Sequence, residues 1–255
     1  IEEGVGLDAA SLREVMMGKE NGLDAGDIYY SAPGKSLRDI DASLRCSTII
    51  ADSPAEVERI QTIAEGHGVV ACIGIRLNPD FSFDGEGGAA NKFGIDEQEA
   101  FRLLPVWKEH KNIRICGIHV HSRSQELRGE LIADYYRRMF ELALRFQSAL
   151  GHELEFINMG SGIGIPYAEQ DAPVDVKSLG ASMSALIGQY RARLPKAEIL
   201  VESGRFLVGK AGVYATHVMD KKLSYGKTFV LLANTLGGFV RPSIAQMVEL
   251  SLIHI

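Results

Sequence analysis

Short apolar runs rich in Val and Ile alternate with longer segments of helical period over the first 205 residues. The runs lie at 4–8, 27–31, 47–51, 70–77, 113–121, 154–160 and 198–203, and helical periodicity is clear over 97–110, 126–150 and 178–193. Strands that alternate with helices at about 30 residues per unit predict a parallel sheet of the (β/α)8 barrel type. Only seven strands are present, so we expect the eighth to precede Ile1.

The alternation of predicted strands and helices stops after Glu202. The segment "GVYATHVMDKKLSYGKTFVLLA" predicts two strands around a Gly-containing turn, with no helix between them. We therefore interpret the chain as an α/β protein in two parts. Residues 1–205 form a (β/α)8 barrel that lacks its first strand, and residues 206–255 begin a truncated, β-rich C-terminal domain.

Composition narrows the class of protein. Lys and Arg number 27 against 33 Asp and Glu, a formal charge of −6 without long blocks of either sign. This balance gives no support to a nucleic-acid partner. Apolar runs are too short for a membrane span, and the three cysteines, Cys46, Cys72 and Cys116, are widely spaced. We therefore expect no membrane contact, a cytoplasmic location and free thiols rather than disulfides.

The strand ends carry groups that suit a phosphate. Gly160, Ser161 and Gly162 follow a predicted strand, where backbone N–H groups can approach an oxyanion without a Cβ in the way. The Arg205 guanidinium could donate two hydrogen bonds to the same phosphate, and the Ser124 hydroxyl could donate another. The alternative is that the Gly-rich turn is only a tight connection between strand and helix.

Two charged residues and two histidines raise a second question. Glu202 ends an apolar strand, so its carboxylate needs a partner, either a protonated ring nitrogen or a barrel arginine such as Arg205. Arg76 belongs either to a substrate site or to a polar network at the barrel mouth. His119 and His121, two apart on a strand, point to the same side and could hold zinc, contact a cofactor or fill a core.

A series of motifs then carries a family resemblance. In order they are "GLDAASLREV", "YSAPGKS", "IGIRLNPDF", "NKFGID", "GIHVHSRSQ", "INMGSGIGIPY", "VESGRFLVGKAG" and "VRPSIA". Over residues 4–245 the chain resembles the fold-type III pyridoxal-phosphate decarboxylases, the group of diaminopimelate and ornithine decarboxylases with a barrel of the alanine-racemase type. The resemblance implies that the full protein binds pyridoxal 5'-phosphate and decarboxylates a small amino acid.

The resemblance also implies residue roles. His121 stacks on the cofactor ring, and Glu202 pairs with the ring nitrogen; these two are the expected catalytic residues. Asp8 matches an acid near the cofactor lysine, and Arg76 matches an arginine that supports the stacking histidine. The expected phosphate contacts are Ser124, Gly160, Ser161, Gly162, Gly204 and Arg205.

Substrate preference depends on two arginines. Arg241 matches an arginine that holds a substrate carboxylate in diaminopimelate decarboxylases, and Arg123 replaces a glycine of the family pattern. We therefore expect a diaminopimelate-like substrate with an extra carboxylate; an ornithine, lysine or arginine decarboxylase is the alternative. Ser161 and Ser203 also depart from the family pattern, which affects substrate identity more than cofactor binding.

The motif that carries the Schiff-base lysine in this family is absent from the 255 residues, and so is the cysteine that a partner subunit contributes. Lys35 belongs to a separate motif and is not expected to take that role. The resemblance implies a homodimer with a shared active site, in which this span alone is inactive. A zinc hydrolase using the histidine pair and a non-catalytic homologue are the rival hypotheses; we expect no metal.

Overall fold

The computed structural model describes residues 4–83 and 85–233. The chain divides into two compact units. The first comprises residues up to 165 together with 172–206, and the second comprises 166–171 together with the residues from 207 onward. Arg241, which we predicted to bind a substrate carboxylate, lies outside the described residues.

The first unit is built on a curved parallel sheet. Its seven main strands pair in the order in which they occur along the chain, which confirms the seven strands predicted from the apolar runs. Phe81–Ser82 and Gly85–Glu86 form a small separate hairpin, and Ile95–Asp96 adds a short parallel pairing to the strand Ala71–Asn78. The strands are β1 (Leu7–Ala9), β2 (Ile28–Tyr30), β3 (Thr48–Ala51), β4 (Ala71–Asn78), β5 (Phe81–Ser82), β6 (Gly85–Glu86), β7 (Ile95–Asp96), β8 (Ile113–His119), β9 (Phe156–Asn158) and β10 (Glu198–Leu200).

Helices connect the strands, and their starts follow from local capping. Ser11, Ser36, Ser53 and Asp175 each accept a hydrogen bond from a backbone N–H of the first helical turn. The predicted helices over 97–110, 126–150 and 178–193 are present with shifted ends. The helices are α1 (Leu12–Glu20), α2 (Leu37–Ser43), α3 (Pro54–Gly66), α4 (Glu97–Trp107), α5 (Gly129–Leu150), α6 (Val176–Tyr190) and α7 (Gly204–Val208).

Alternation along the strands separates two apolar layers. On β4, Ile73, Ile75 and Leu77 belong to the large core between sheet and helices. The opposite face of the sheet has its own small cluster around Phe156, which packs with Ile50 and Cys116. A Cβ on Gly117 would lie 2.5 Å from the Phe156 ring, so glycine at this position leaves the space that the phenyl group fills.

The cysteine prediction is wrong for two of the three residues. Cys72 on β4 and Cys116 on β8 form a disulfide across neighbouring strands, with their Cα atoms 5.8 Å apart. The pairing of β4 with β8 shifts register between Ile73 and Gly74, which brings the two residues together. Their separation of 44 residues in the chain gave no sign of this contact. Cys46 is a free, half-buried thiol, as predicted.

The second unit contains the hairpin that the sequence predicted after the last strand of the barrel. Strands β11 (Val218–Ser224) and β12 (Lys227–Leu232) are antiparallel. Tyr225 and Gly226 connect them with φ angles of 47° and 76°, the left-handed conformations typical of a two-residue hairpin turn. Among the described residues, no helix has the length and apolar character needed to cross a membrane.

Candidate functional site

Polar side chains from three neighbouring strands lie at one level of the sheet. The register pairs Arg76 on β4 with His119 on β8, and His119 with Asn158 on β9. All three are buried, with relative exposures of 7%, 1% and 2%. Because parallel strands have their carboxyl ends at the same edge of the sheet, the site occupies the edge at which barrel enzymes place their chemistry.

Glu202 occupies the centre of this site. Its backbone N–H donates to the Gly160 carbonyl oxygen at 2.7 Å, which fixes the segment after β10 against the segment after β9. The Asn158 side-chain amide donates to Glu202 Oε1 at 2.8 Å. His119 Nε2 lies 3.2 Å from the same oxygen, and His121 Nδ1 lies 3.7 Å from Oε2. Among the residues that the structure describes, the ion-pair partners of Glu202 are these two histidines rather than a barrel arginine.

The two carboxyl groups of the site differ in their pKa values. Burial by itself raises the pKa of Glu202, but its contacts with His119 and Asn158 outweigh burial and lower the pKa to about 2. For Asp8, partial burial followed by the charge of Glu202 raises the pKa to about 6. One side of Asp8 stays exposed at the edge of the sheet. Glu202 is thus the permanent anion, while Asp8 titrates near neutral pH.

The hydrogen bonds of His121 define its neutral form. The Ser161 backbone N–H donates to Nδ1 at 3.1 Å, so this nitrogen is an acceptor and carries no proton. Nε2 then donates to the Ser124 hydroxyl at 3.1 Å. Burial lowers the pKa of His121, although the charge of Glu202 opposes the shift. The ring is therefore uncharged, which suits packing against an aromatic ligand.

The predicted phosphate residues lie on two loops that bind each other. The Glu126 backbone N–H donates to the Gly162 carbonyl oxygen, and the Gly164 N–H donates to the Glu126 carbonyl oxygen, both at 2.8 Å. This pairing brings Ser124 beside the Gly-Ser-Gly turn. Gly160 has φ +63°, and a Cβ there would overlap the Val120 carbonyl oxygen. Glycine is therefore required at this position of the cradle.

Arg205 joins the same region from α7, the short helix that begins at Gly204. Its Nη1 donates to Gln125 Oε1 at 3.4 Å, next in the chain to Ser124. The structure therefore places Gly204 and Arg205 at the start of the helix that follows Glu202, with the Arg205 guanidinium near the loop that carries Ser124.

Arg123 has a partner within its own loop. Its Nη2 donates to Glu126 Oε2 at 2.7 Å, and its guanidinium lies 5.7 Å from the centre of the Phe83 ring. Glu126 is 3% exposed and also accepts hydrogen bonds from Arg128. These hydrogen bonds are the main reason that the pKa of Glu126 is lowered to about 2. Arg123 therefore holds the loop as well as lying beside the site.

Arg76 belongs to a polar network. Its Nη1 donates to the Ser31 carbonyl oxygen at 3.3 Å and to Asp52 Oδ1 at 3.4 Å, and its guanidinium lies 4.6 Å from the Phe93 ring centre. The Ser31 hydroxyl in turn donates to Asp8. This network links Arg76 to Asp8 through Ser31. Arg76 therefore belongs to a polar network at the barrel mouth, which is one of the two roles that the sequence left open.

Sequence reasoning missed several residues of the site. Asn158 orients Glu202 and also accepts a hydrogen bond from the Gly160 N–H through its side-chain oxygen at 2.9 Å. Its position at the end of an apolar strand, directly before the Gly-rich turn, was an available signal. Ser31 and Asp52 follow β2 and β3 in the same way. His119 was considered, but its contact with Glu202 was not foreseen.

A barrel sheet with an anionic centre, a neutral histidine and a glycine cradle defines a domain for a phosphate-bearing aromatic cofactor. Over residues 1–209 the chain matches the model of the pyridoxal-dependent decarboxylases, pyridoxal binding domain. The chain belongs to this family, which confirms the resemblance inferred from its motifs.

Relatives agree with this assignment. The chain is 30% identical over 236 residues to an L-glutamyl-[BtrI acyl-carrier protein] decarboxylase from Niallia circulans, covering 90% of the chain and 55% of the relative. It is 31% identical to a diaminopimelate decarboxylase from Neisseria meningitidis, covering 94% and 59%. The crystal structure of diaminopimelate decarboxylase from Helicobacter pylori complexed with L-lysine superposes with a TM-score of 0.80 at 28% identity, covering 94% and 61%. The chain thus spans little more than half the length of these relatives.

The residues present fit pyridoxal phosphate. The glycine cradle has no room for a Cβ at Gly160, and Ser124 and Arg205 lie beside it. Glu202 is held anionic where a protonated ring nitrogen needs a counter-charge. Among the described residues, neither ring nitrogen of the buried His119 forms a hydrogen bond of good geometry, so the site centre has unsatisfied polar atoms.

Proposed function

We propose that the full protein containing this chain is a pyridoxal-phosphate-dependent amino acid decarboxylase. The observation that carries the proposal is the Glu202 carboxylate, kept ionised by His119 and Asn158 at the carboxyl edge of the barrel sheet. Pyridoxal phosphate, when bound, supplies an electron sink for the electron pair left by loss of CO₂. An anionic glutamate keeps the ring nitrogen protonated and so favours the strong form of that sink.

The chain's own residues then have separable roles. Glu202 holds the proton at the ring nitrogen, and His121 packs its neutral ring on the cofactor face. Ser124, the Gly160–Gly162 turn and Arg205 bind the phosphate. Asp8, with a pKa of about 6, can hold or release a proton near neutral pH at the edge of the site.

For the substrate we propose an amino acid with an extra acidic group, of the diaminopimelate type. The support is the likeness to diaminopimelate decarboxylases, at 31% identity in one case, together with Arg241 in the "VRPSIA" motif. Arg123 adds a positive charge beside the site, although its guanidinium also forms an ion pair with Glu126. Guanidinium groups make bidentate contacts with carboxylates, which suits a distal carboxylate.

Two assays test this function. The full protein is incubated with diaminopimelate, glutamate, lysine and ornithine, and CO₂ release is measured beside cofactor absorbance. We expect diaminopimelate to be preferred, and Arg241→Ala to raise its KM strongly without changing the absorbance. Preference for lysine or ornithine with a silent Arg241→Ala would remove the acidic-substrate proposal. Cofactor binding without CO₂ release from any amino acid would show a non-catalytic homologue.

The attachment of the cofactor is tested separately. We expect a lysine outside these 255 residues to be modified when the full protein is treated with borohydride and its peptides are mapped by mass. Lys35 should stay unmodified, because its side chain is fully buried and its Nζ binds Glu56 and two backbone carbonyls. A reduced adduct on Lys35 would overturn this assignment.

The family resemblance also supports a homodimer in the cytoplasm, with an active site shared between subunits. Sedimentation of the full protein at micromolar concentration measures the oligomeric state. A fully active monomer would contradict the shared site.

A further inference from the structure

The amino-terminal half of the barrel sheet holds a pair of cysteines that the proposed chemistry does not use. Cys72 on β4 and Cys116 on β8 are joined across neighbouring strands. Cys116 belongs to the buried cluster with Ile50 and Phe156, and Cys72 packs against that cluster. The pair therefore links two strands of the barrel interior below the level of Arg76 and His119.

The two cysteines differ in their exposure to solvent. Cys116 is fully buried, whereas Cys72 is half-buried. Cys72 lines a cavity of about 440 Å³ at the amino ends of the strands, together with Arg114, Glu155 and Glu198. A small thiol or disulfide in this cavity can therefore approach the sulfur of Cys72 but not that of Cys116.

The charges around Cys72 suit thiol chemistry. Arg114 Nη2 lies 3.9 Å from the Cys72 sulfur, where a guanidinium stabilises a thiolate. Glu155 Oε2 lies 4.0 Å from the same sulfur and opposes that effect, but Glu155 also forms an ion pair with Arg114. The reactivity of Cys72 is thus set by this arginine and carboxylate together.

We propose that Cys72 and Cys116 form a reversible dithiol–disulfide pair that small-molecule disulfides oxidise through Cys72. The Cys72 thiolate attacks one sulfur of the small disulfide, whose S–S bond breaks and releases one thiol. The Cys116 thiol then loses its proton and attacks the Cys72 sulfur, which forms the internal bond and releases the second thiol. Two protein thiols are oxidised and one small disulfide is reduced.

The bond acts on the strands that carry the site. It ties β4, which ends in the Arg76 region, to β8, which ends at His119, and it closes a segment of 44 residues. A cross-link of this kind restricts the unfolded chain, so oxidation should raise the melting temperature of the protein by about 5–10 °C. The pair is therefore a modification site that stabilises the barrel when it is oxidised.

Peptide mapping of the full protein tests the proposal. The reduced protein is incubated with glutathione disulfide, alkylated in denaturant and digested with trypsin without reduction. We expect a cross-linked peptide joining residues 60–76 to 115–123, with Cys46 alkylated in the peptide 46–59. Dithiothreitol should reverse both the cross-link and the gain in melting temperature.

Matched variants complete the test. Cys46→Ser should retain the cross-link and its thermal shift, whereas Cys72→Ser, at the more exposed position, should lose both. Arg114→Gln should slow oxidation about three- to tenfold, because the thiolate loses its positive neighbour. Alkylation of both Cys72 and Cys116 after oxidation would overturn the proposal. Protection of both thiols by stoichiometric zinc, with Glu155 as a third ligand and no cross-link, would also overturn it.

Discussion

Two clusters of charge, one buried and one partly exposed, lie near the carboxyl edge of the same sheet, and they differ in how completely their charges are paired. In the first, which we call the Lys35 cluster, Lys35 and Arg76 face Glu56 and Asp52. Lys35 Nζ donates to Glu56 at 3.1 Å and to the Ile50 carbonyl oxygen at 2.7 Å. Glu56 also accepts hydrogen bonds from the backbone N–H groups of Lys35 and Asp52, both at 2.9 Å. Two cations therefore balance two carboxylates.

The second cluster, which we call the Glu202 cluster, has no such balance. It contains the carboxylates of Asp8 and Glu202 with His119 and His121, and the pKa of His121 is lowered, chiefly by burial. The charge of Glu202 raises the pKa of Asp8 after the effect of burial. Excess negative charge and unsatisfied polar atoms in the Glu202 cluster fit a cationic group of a ligand, such as a protonated ring nitrogen. The fully paired Lys35 cluster stabilises the fold instead.

The largest expected effect comes from opening the closed cluster. Lys35→Met leaves Glu56 and Asp52 buried with one cation fewer, so we expect the free energy of unfolding to fall by about 3–5 kcal/mol. Chemical denaturation measures this change. Lys177→Met, at an exposed position of α6, is the control and should stay within about 0.5 kcal/mol. Equal losses in both variants would contradict the distinction between the clusters.

Glu202→Gln should affect chemistry more than stability. In the decarboxylase that we propose for the full protein, the amide would not hold the ring nitrogen protonated, so we expect kcat for CO₂ release to fall about 100-fold or more while the cofactor stays bound. Glu198→Gln, on the exposed amino end of the same strand β10, is the matched control. A small change in kcat would show that Glu202 is structural, like the carboxylates of the Lys35 cluster.

Substitutions of the two histidines in the Glu202 cluster should have different effects. The side chain of His121 is 26% exposed and that of His119 is 1% exposed. We expect His121→Ala to weaken cofactor binding by about 1 kcal/mol or more, because an aromatic contact is lost. His119→Ala should lower the free energy of unfolding more than the cofactor affinity. Fluorescence titration with pyridoxal phosphate measures the cofactor affinity of each variant, and chemical denaturation measures its free energy of unfolding. A larger loss of cofactor affinity in His119→Ala than in His121→Ala would contradict the assignment of His121 as the stacking residue.

The smallest effect concerns the titration of Asp8. Glu202→Gln removes a negative neighbour, which favours the charged form of Asp8, so its pKa should fall from about 6. Burial persists, and the pKa should therefore stay above the ordinary value of 3.8. Carboxyl carbon NMR of the unliganded protein measures the shift. An unchanged pKa would mean that the two carboxyl groups are not coupled.

Local patterns predicted much of this protein. Apolar runs located the seven main strands, and helical periodicity located α4, α5 and α6 to within a few residues. The start of α5 moved from 126 to 129, because Glu126 takes part in the site loop instead of the first helical turn. Motif order identified the family, and the predicted site residues Glu202, His121, Ser124 and Gly160 lie together.

The sequence by itself determined which segments form strands and helices, because those signals repeat within a few residues of each other. Only the tertiary structure decided the partners of the buried groups. Glu202 contacts His119 and Asn158, and Cys72 meets Cys116, across separations of 44 to 83 residues. These contacts depend on strand register, and a shift such as that between β4 and β8 is set by packing around Phe156, Gly74 and Gly117, not by local sequence.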